Sequence, residues 1–256
     1  MSNANKPTTG LCYHTAQAIY VRGADLVDEL IGRVSFTEMM LWHWLGQRPA
    51  AAQTALLDAV LVTLMEHGVT PSAIASRLIY DSAPDALQAA VAAGLLGVGS
   101  TFIGTMEGCA VLLDELVVAP DEAEARAAAI AARFRDAKRP IPGFGHPIHK
   151  PDDPRSARLL ELCQQYATPG HYVRAVRCLA AAVDAAYGRH ITINATGAIA
   201  AVLGEIKVPR GIMRGVAVVS RSAGLVGHIL EEQQRPAARH LWELAEREVT
   251  YDGPLR

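Results

Sequence analysis

RPIPGFGHPIHKPDDPR, Arg139 to Arg155, interrupts a chain otherwise rich in Ala, Leu and Val. Five prolines and two glycines make a helix untenable across it, because proline lacks the N–H that a helix interior needs. At Gly143-Phe144-Gly145 the backbone can approach a ligand closely, since no Cβ stands in the way at either glycine. The prolines lower the entropy cost of holding such a loop. His146 follows at once and can serve as acid, base or hydrogen-bond donor near neutral pH. Lys138, Arg139, Lys150 and Arg155 flank the loop and suit phosphates or carboxylates. The same composition fits a rigid turn carrying a surface histidine, and the residues alone leave both readings open.

On either side of the loop the pattern is helical. Apolar residues recur at helical spacing from Ala52 to His67 and stop at Gly68, a helix-ending signal. Thr70-Pro71 reads as the N-cap and first residue of the next helix, and Pro84-Asp85 opens another. Asp121 to Lys138 is a charged, Ala-rich surface helix with acids first and bases last, matching the macrodipole. Helices are predicted over Asp153–Tyr166, His171–Tyr187, Ile191–Ile206, Pro209–Val219, Ala223–Gln234 and Ala237–Val249. Strand signals are thin: Val117-Val118 and Ile191-Thr192-Ile193 are the β-branched clusters. The chain therefore reads as all-α. Its 256 residues suffice for one large domain or for two lobes.

Half of the residues are hydrophobic but only 5% aromatic, so the core must be aliphatic. A net charge of −2 argues against a nucleic-acid partner. Cys12, Cys109, Cys163 and Cys178 are widely spaced, without a CxxC, and read as reduced thiols. MSNANKPTTG holds no apolar run of the signal-peptide kind, so a cytoplasmic protein is expected. The uncharged run Ala89–Met106 is mostly small residues and meets Glu107 at once, which favours closely packed helices over a membrane span. His146 and His149 have no Cys or acid at ligand spacing, and Pro147 breaks any helical face, so no metal site is expected.

GFGHPIHKPDDPR resembles the GxGHxxxKxxDPR signature of the citrate synthase superfamily, and further matches run along almost the whole chain. VRGADLVDELIGRVSFTEMMLWHWLGQRP is similar to the family's N-terminal helices. MEHGVTPSA resembles the segment that carries a substrate-binding histidine, here His67. VVSRSAGLVGHILEEQ resembles the segment that carries a substrate-binding arginine, here Arg221. Within the superfamily, synthases place a histidine where GSTFIGTME has Phe102, whereas citryl-CoA lyases and the lyase module of ATP-citrate lyase have Phe there. The family's catalytic Asp falls in INATGAIA, where Thr196 stands instead. A Thr hydroxyl can only donate or accept a hydrogen bond, or hold a water.

The resemblance implies a citrate-synthase-like multi-helical bundle with a small lobe over roughly residues 110–200 and a large lobe from the remainder. It implies a homodimer and a retro-aldol cleavage of a citryl-CoA-like 3-hydroxyacyl-CoA to an acyl-CoA and a 2-keto acid such as oxaloacetate. Coenzyme A then enters as part of the substrate, and no cofactor is permanently bound. His67 and His146 would bracket the substrate hydroxyl, with Thr196 holding a water or the thioester carbonyl. Arg155 and Arg221 would clamp carboxylates, and Arg239 would reach the site across the dimer. Pro142, Gly143, Phe144 and Gly145 would receive CoA through backbone contacts, with Lys138, Arg139 and Lys150 as candidates for its phosphates. His228, seven residues after Arg221, reads as a packed neighbour, and Arg158 as solvated. Two other readings stay open: a catalytically idle CoA-binding homologue, which Thr196 favours, and a synthase working in the condensation direction.

Overall fold

The computed structural model describes residues 6–99 and 103–254. Phe102 lies outside the described residues. The chain opens with a small antiparallel sheet that the sequence did not signal: β1 (Cys12–His14), β2 (Ile19–Val21) and β3 (Ala24–Asp25), in the order β1-β2-β3. The β2–β3 turn is Arg22-Gly23, both with positive φ, as a tight hairpin requires. Strands of two or three residues are too short to show an alternating pattern, which is why they escaped the sequence reading.

After the sheet the architecture is helical: α1 (Phe36–Leu45), α2 (Ala51–Met65), α3 (Pro71–Ser82), α4 (Leu87–Leu96) and α5 (Gly104–Val117) come first. There follow α6 (Ala123–Asp136), α7 (Pro154–Gln165), α8 (His171–Tyr187), α9 (Ala195–Glu205), α10 (Met213–Gln234) and α11 (Ala238–Glu248). The surface helix predicted over Asp121–Lys138 is α6, with Glu124 in its first turn and Arg133 and Arg135 in its last. The β-branched Val117-Val118 pair is a helix end, whereas Ile191–Ile193 is extended and Ile193 bridges Phe144.

Three predicted boundaries move, one of them because α4 opens at Leu87 rather than at Pro84-Asp85. The helix expected from Ile191 starts at Ala195, because Asn194 caps it by accepting from the Gly197 N–H at 3.2 Å. The separate helices expected over Pro209–Val219 and Ala223–Gln234 are one helix, α10, preceded by a 3₁₀ turn at Arg210–Ile212. The serines at 220 and 222 do not break it: the Ser222 hydroxyl bonds back to Val218 O at 2.8 Å, and Ser220 donates to Leu61 O across the packing interface.

At the centre lies α9. Ala198, Ile199, Ala200, Ala201, Val202 and Leu203 are all wholly buried, and α2, α5, α7 and α8 pack around it. A helix buried on every side must be apolar on every side. Its N-terminus, however, opens on the Arg139–Arg155 loop and so places Thr196 beside His146. Within the described residues no helix is long and apolar enough to cross a membrane.

Candidate active site

A cavity of about 440 Å³ opens where the C-terminal end of α2, the start of α5, the loop, the first turn of α9 and the middle of α10 meet. His67, His146, Arg155, Thr196 and Arg221 all line it, as does Gly145. His67 sits in the turn after α2, where Gly68 has a φ of 75° and reverses the chain. Arg221 projects from α10, Arg155 from the first turn of α7, and Thr196 from the first turn of α9.

The loop is held by its own backbone. Gly145 N–H donates to Thr192 O at 2.8 Å, Asn194 N–H donates to Gly143 O at 3.0 Å, and the Asn194 side-chain amide donates to Gly145 O at 3.0 Å. Gly143 is obligatory for packing as well as for its φ of 87°: a Cβ there would lie 2.6 Å from Cys109 Sγ. Across the contact, a Cβ on Gly197 would lie 2.4 Å from Gly143 O. The loop thus docks on the α9 N-terminus at a distance that no side chain permits.

Asp153, quoted in the loop signature but given no role from sequence, anchors the cationic side of the cavity. It is 1% exposed. Its carboxylate accepts from Arg155 Nε at 3.0 Å, Arg155 Nη2 at 2.8 Å, the Arg155 N–H at 3.1 Å and the Ala195 N–H at 3.1 Å. Burial by itself would raise this carboxyl, but the Arg155 side chain and the backbone donors outweigh it and hold the group below its usual range. Asp153 therefore caps α7, meets the α9 N-terminus and aims Arg155, all with one side chain.

His146 Nδ1 accepts from the Ile148 N–H at 3.1 Å and the His149 N–H at 2.9 Å. The ring proton therefore resides on Nε2, an assignment made from these partners. Arg155 Nη2 lies 3.3 Å from that same Nε2, a contact between two donors rather than a hydrogen bond. Burial, then the neighbouring His149 and Arg155, hold His146 below its usual pKa range. Burial also lowers His67, followed by the fields of Arg155 and Arg221. Both imidazoles are thereby kept neutral near pH 7, one of them with its N–H defined.

Arg221 is 8% exposed and makes no hydrogen bond or salt bridge among the described residues. Burial pulls its pKa down, against the opposing field of the Glu66 carboxylate. A buried guanidinium without a bonded partner is costly unless an anion arrives. Thr196 Oγ1 donates to Asn194 Oδ1 at 2.7 Å and lies 3.1 Å from Thr105 Oγ1. The Thr70 hydroxyl, expected to cap α3, makes no cap bond and, among the described residues, sits unpartnered on the cavity wall. Glu66 was likewise missed from sequence and lines the cavity too.

Other expected site residues lie apart. Lys138 and Arg139 line a second depression of about 390 Å³ with Arg135, Arg189 and the loop residue Phe144. Pro142 packs on α5 beside Gly108. Lys150 is exposed and lines neither hollow. Arg239 is on the surface of α11, 3.3 Å from Asp81, away from the cavity of its own chain. Arg158 is exposed and pairs with Glu161 at 2.7 Å.

The charged side chains that line the first cavity are Arg155, Arg221 and Glu66, beside the two imidazoles. Residues 8–242 match the family described as "Citrate synthase, C-terminal domain", and the chain belongs to the citrate synthase family. Among solved structures, it is similar to the citryl-CoA lyase from Hydrogenobacter thermophilus, with a TM-score of 0.87, 30% identity, and coverage of 98% of this chain and 97% of that one. ATP citrate lyase from Methanothrix soehngenii, solved with citrate and coenzyme A, shares the fold at a TM-score of 0.79 and 19% identity, over 99% of this chain and 43% of that one. Among curated relatives, "Putative citrate synthase 2" of Mycobacterium tuberculosis is 28% identical over 227 residues, 85% of this chain. The chain spans 56% of that relative's length.

Proposed function

We propose that the protein is a CoA-dependent carbon–carbon lyase that cleaves a citryl-CoA-like 3-hydroxyacyl-CoA to an acyl-CoA and a 2-keto acid such as oxaloacetate. The observation that carries this reading is Arg221, buried and unbonded among neutral imidazoles, an arrangement that a substrate carboxylate would complete. Arg155 offers a second cation, already aimed by Asp153.

In this reading His67 takes the carbinol proton as general base, since its lowered pKa leaves it unprotonated at neutral pH. His146 donates from Nε2–H to the same oxygen as it becomes a carbonyl. The C–C bond breaks, the electron pair passes to the thioester as an enolate, and the enolate carbon then takes a proton. Thr196 cannot deliver that proton as an acid. Its own proton is committed to Asn194, which leaves a lone pair to hold the water that does. CoA would cross the loop, its phosphates meeting Lys138, Arg139 and Arg189 in the second depression. Residues from about 110 to 200 would form the small lobe, and Arg239 would enter the cavity of a second copy in a homodimer.

The test mixes pure protein with citryl-CoA and follows oxaloacetate through malate dehydrogenase and NADH oxidation. Turnover that is lost in Arg221→Gln supports the reading. Tight CoA binding without turnover overturns it in favour of the idle homologue, the reading that Thr196 favours.

A further inference from the structure

Outside the cavity, Arg77 on α3 is buried at 3% exposure among three residues of α10. It donates to Glu232 Oε2 at 2.8 Å and to Glu231, and its Nε donates to His228 Nδ1 at 3.1 Å. An arginine can only donate, so His228 Nδ1 is an acceptor and the ring proton lies on Nε2. That Nε2 lies 3.1 Å from Glu66 Oε1. Glu66 Oε1 in turn accepts the backbone N–H groups of His67 at 2.7 Å and Gly68 at 2.6 Å. The bonds form one directed series from α10 and α3 to the peptide that presents His67.

We propose that Arg77, His228 and Glu66 are positioning residues that fix the His67 peptide at the cavity, His228 acting as the linker between a buried ion pair and the α2–α3 turn. The turn needs such a fastening: α2 ends at Met65, Glu66 is extended with ψ 144°, and Gly68 adopts a left-handed φ. Left to local preference, a Gly-containing turn at a helix end samples several conformers. The series brings to the turn a bond from His228, 162 positions beyond Glu66 in the chain, which such a turn cannot supply for itself. Its catalytic consequence rests on the reading of His67 as an acting group.

The test uses the full chain with His228→Leu, which removes both ring nitrogens, His228→Gln, which can still donate to Glu66, and Glu66→Ala, a change at a half-exposed side chain. Amide hydrogen exchange at His67 and Gly68 is expected to quicken at least tenfold in His228→Leu and Glu66→Ala, with exchange in α9 unchanged, and to return toward the parent rate in His228→Gln. With citryl-CoA, kcat is expected to fall about tenfold in the first two variants while KM holds steady, and to recover in His228→Gln. Unchanged exchange at His67 and Gly68 in Glu66→Ala overturns the proposal, whether or not His228→Leu folds. If the parent protein does not turn over citryl-CoA, the lyase reading fails, and the exchange data still decide whether this series holds the turn.

Discussion

Arg155 Nη2 stands 3.3 Å from His146 Nε2, and the arginine is held there by the buried Asp153 carboxylate, 2.8 Å from the same nitrogen. A fixed cation facing an imidazole N–H opposes a second proton on the ring. Histidine is thus kept as a neutral donor in a cavity that two arginines also line.

The pH dependence follows from that placement. His67 and His146 are both held below the usual histidine range, so at mildly acid pH the folded protein binds fewer protons than the unfolded chain. Stability from this source is present above about pH 6.5 and is lost as pH falls through the lowered folded values. The acid limb of kcat/KM is expected below pH 6.5, and the urea midpoint is expected to drop between pH 7 and pH 5. His149 stacks on His146 with ring centroids 4.5 Å apart and lowers it, so His149→Gln is expected to move the limb toward pH 6.5. A pH–rate profile checks both.

Arg221→Met separates binding from stability. Removing an unbonded buried charge while keeping the volume is expected to leave the ligand-free protein as stable or to raise its stability, by up to about 2 kcal/mol. Keto-acid affinity is expected to fall about a hundredfold, which equals about 2.7 kcal/mol. Thermal unfolding and calorimetric titration with oxaloacetate measure the two effects. A variant that unfolds without ligand would contradict this account of Arg221.

Asp153→Asn should act in the opposite way. It leaves Arg155 half-buried without its counter-ion, and breaking a buried pair on one side costs about 3–5 kcal/mol. Because Asp153 is held below the usual carboxylate range, its contribution is present above pH 4 or so and is lost as pH falls through the lowered folded value. Guanidinium unfolding at pH 7 and pH 3 should show a large deficit at the first and a smaller one at the second.

Gly197→Ala sets helix propensity against sterics. Alanine gains about 1 kcal/mol over glycine in a helix. The new Cβ, however, would meet Gly143 O at 2.4 Å, a backbone atom that cannot rotate away. Sterics should prevail, with a net loss of about 1–3 kcal/mol and a displaced loop, read by denaturant midpoint and by weakened CoA binding.

Thr196→Asp restores a titratable group at the mouth of α9. It is expected to speed deuterium exchange into the methyl group of acetyl-CoA in D₂O, because a carboxylate can accept the α-proton and the hydroxyl cannot. Exchange equal to that of the parent would argue that this position does not face the thioester.

Much of the fold was legible along the chain. The Pro-rich loop, the Gly68 stop, the Pro71 start and the charge-graded α6 are signals written within one or two helical turns, where local sterics and the macrodipole act. The three short strands and the unbroken α10 were not legible, the first because so few residues carry no period, the second because its serines find partners that only packing supplies. His67, His146, Arg155 and Arg221 could be named together only through the family resemblance. Nothing in their spacing says that residues 67 and 221 meet.

The sequence by itself determined that the chain is helical, where its one rigid interruption falls, and that this interruption carries basic and titratable groups, since these depend on neighbours in the chain. The tertiary structure alone decided which histidine nitrogen bears its proton, that Asp153 aims Arg155, and that Arg77 reaches the His67 turn through His228. Those outcomes depend on hydrogen-bond directions and on burial, and burial exists only once distant segments have closed around the group.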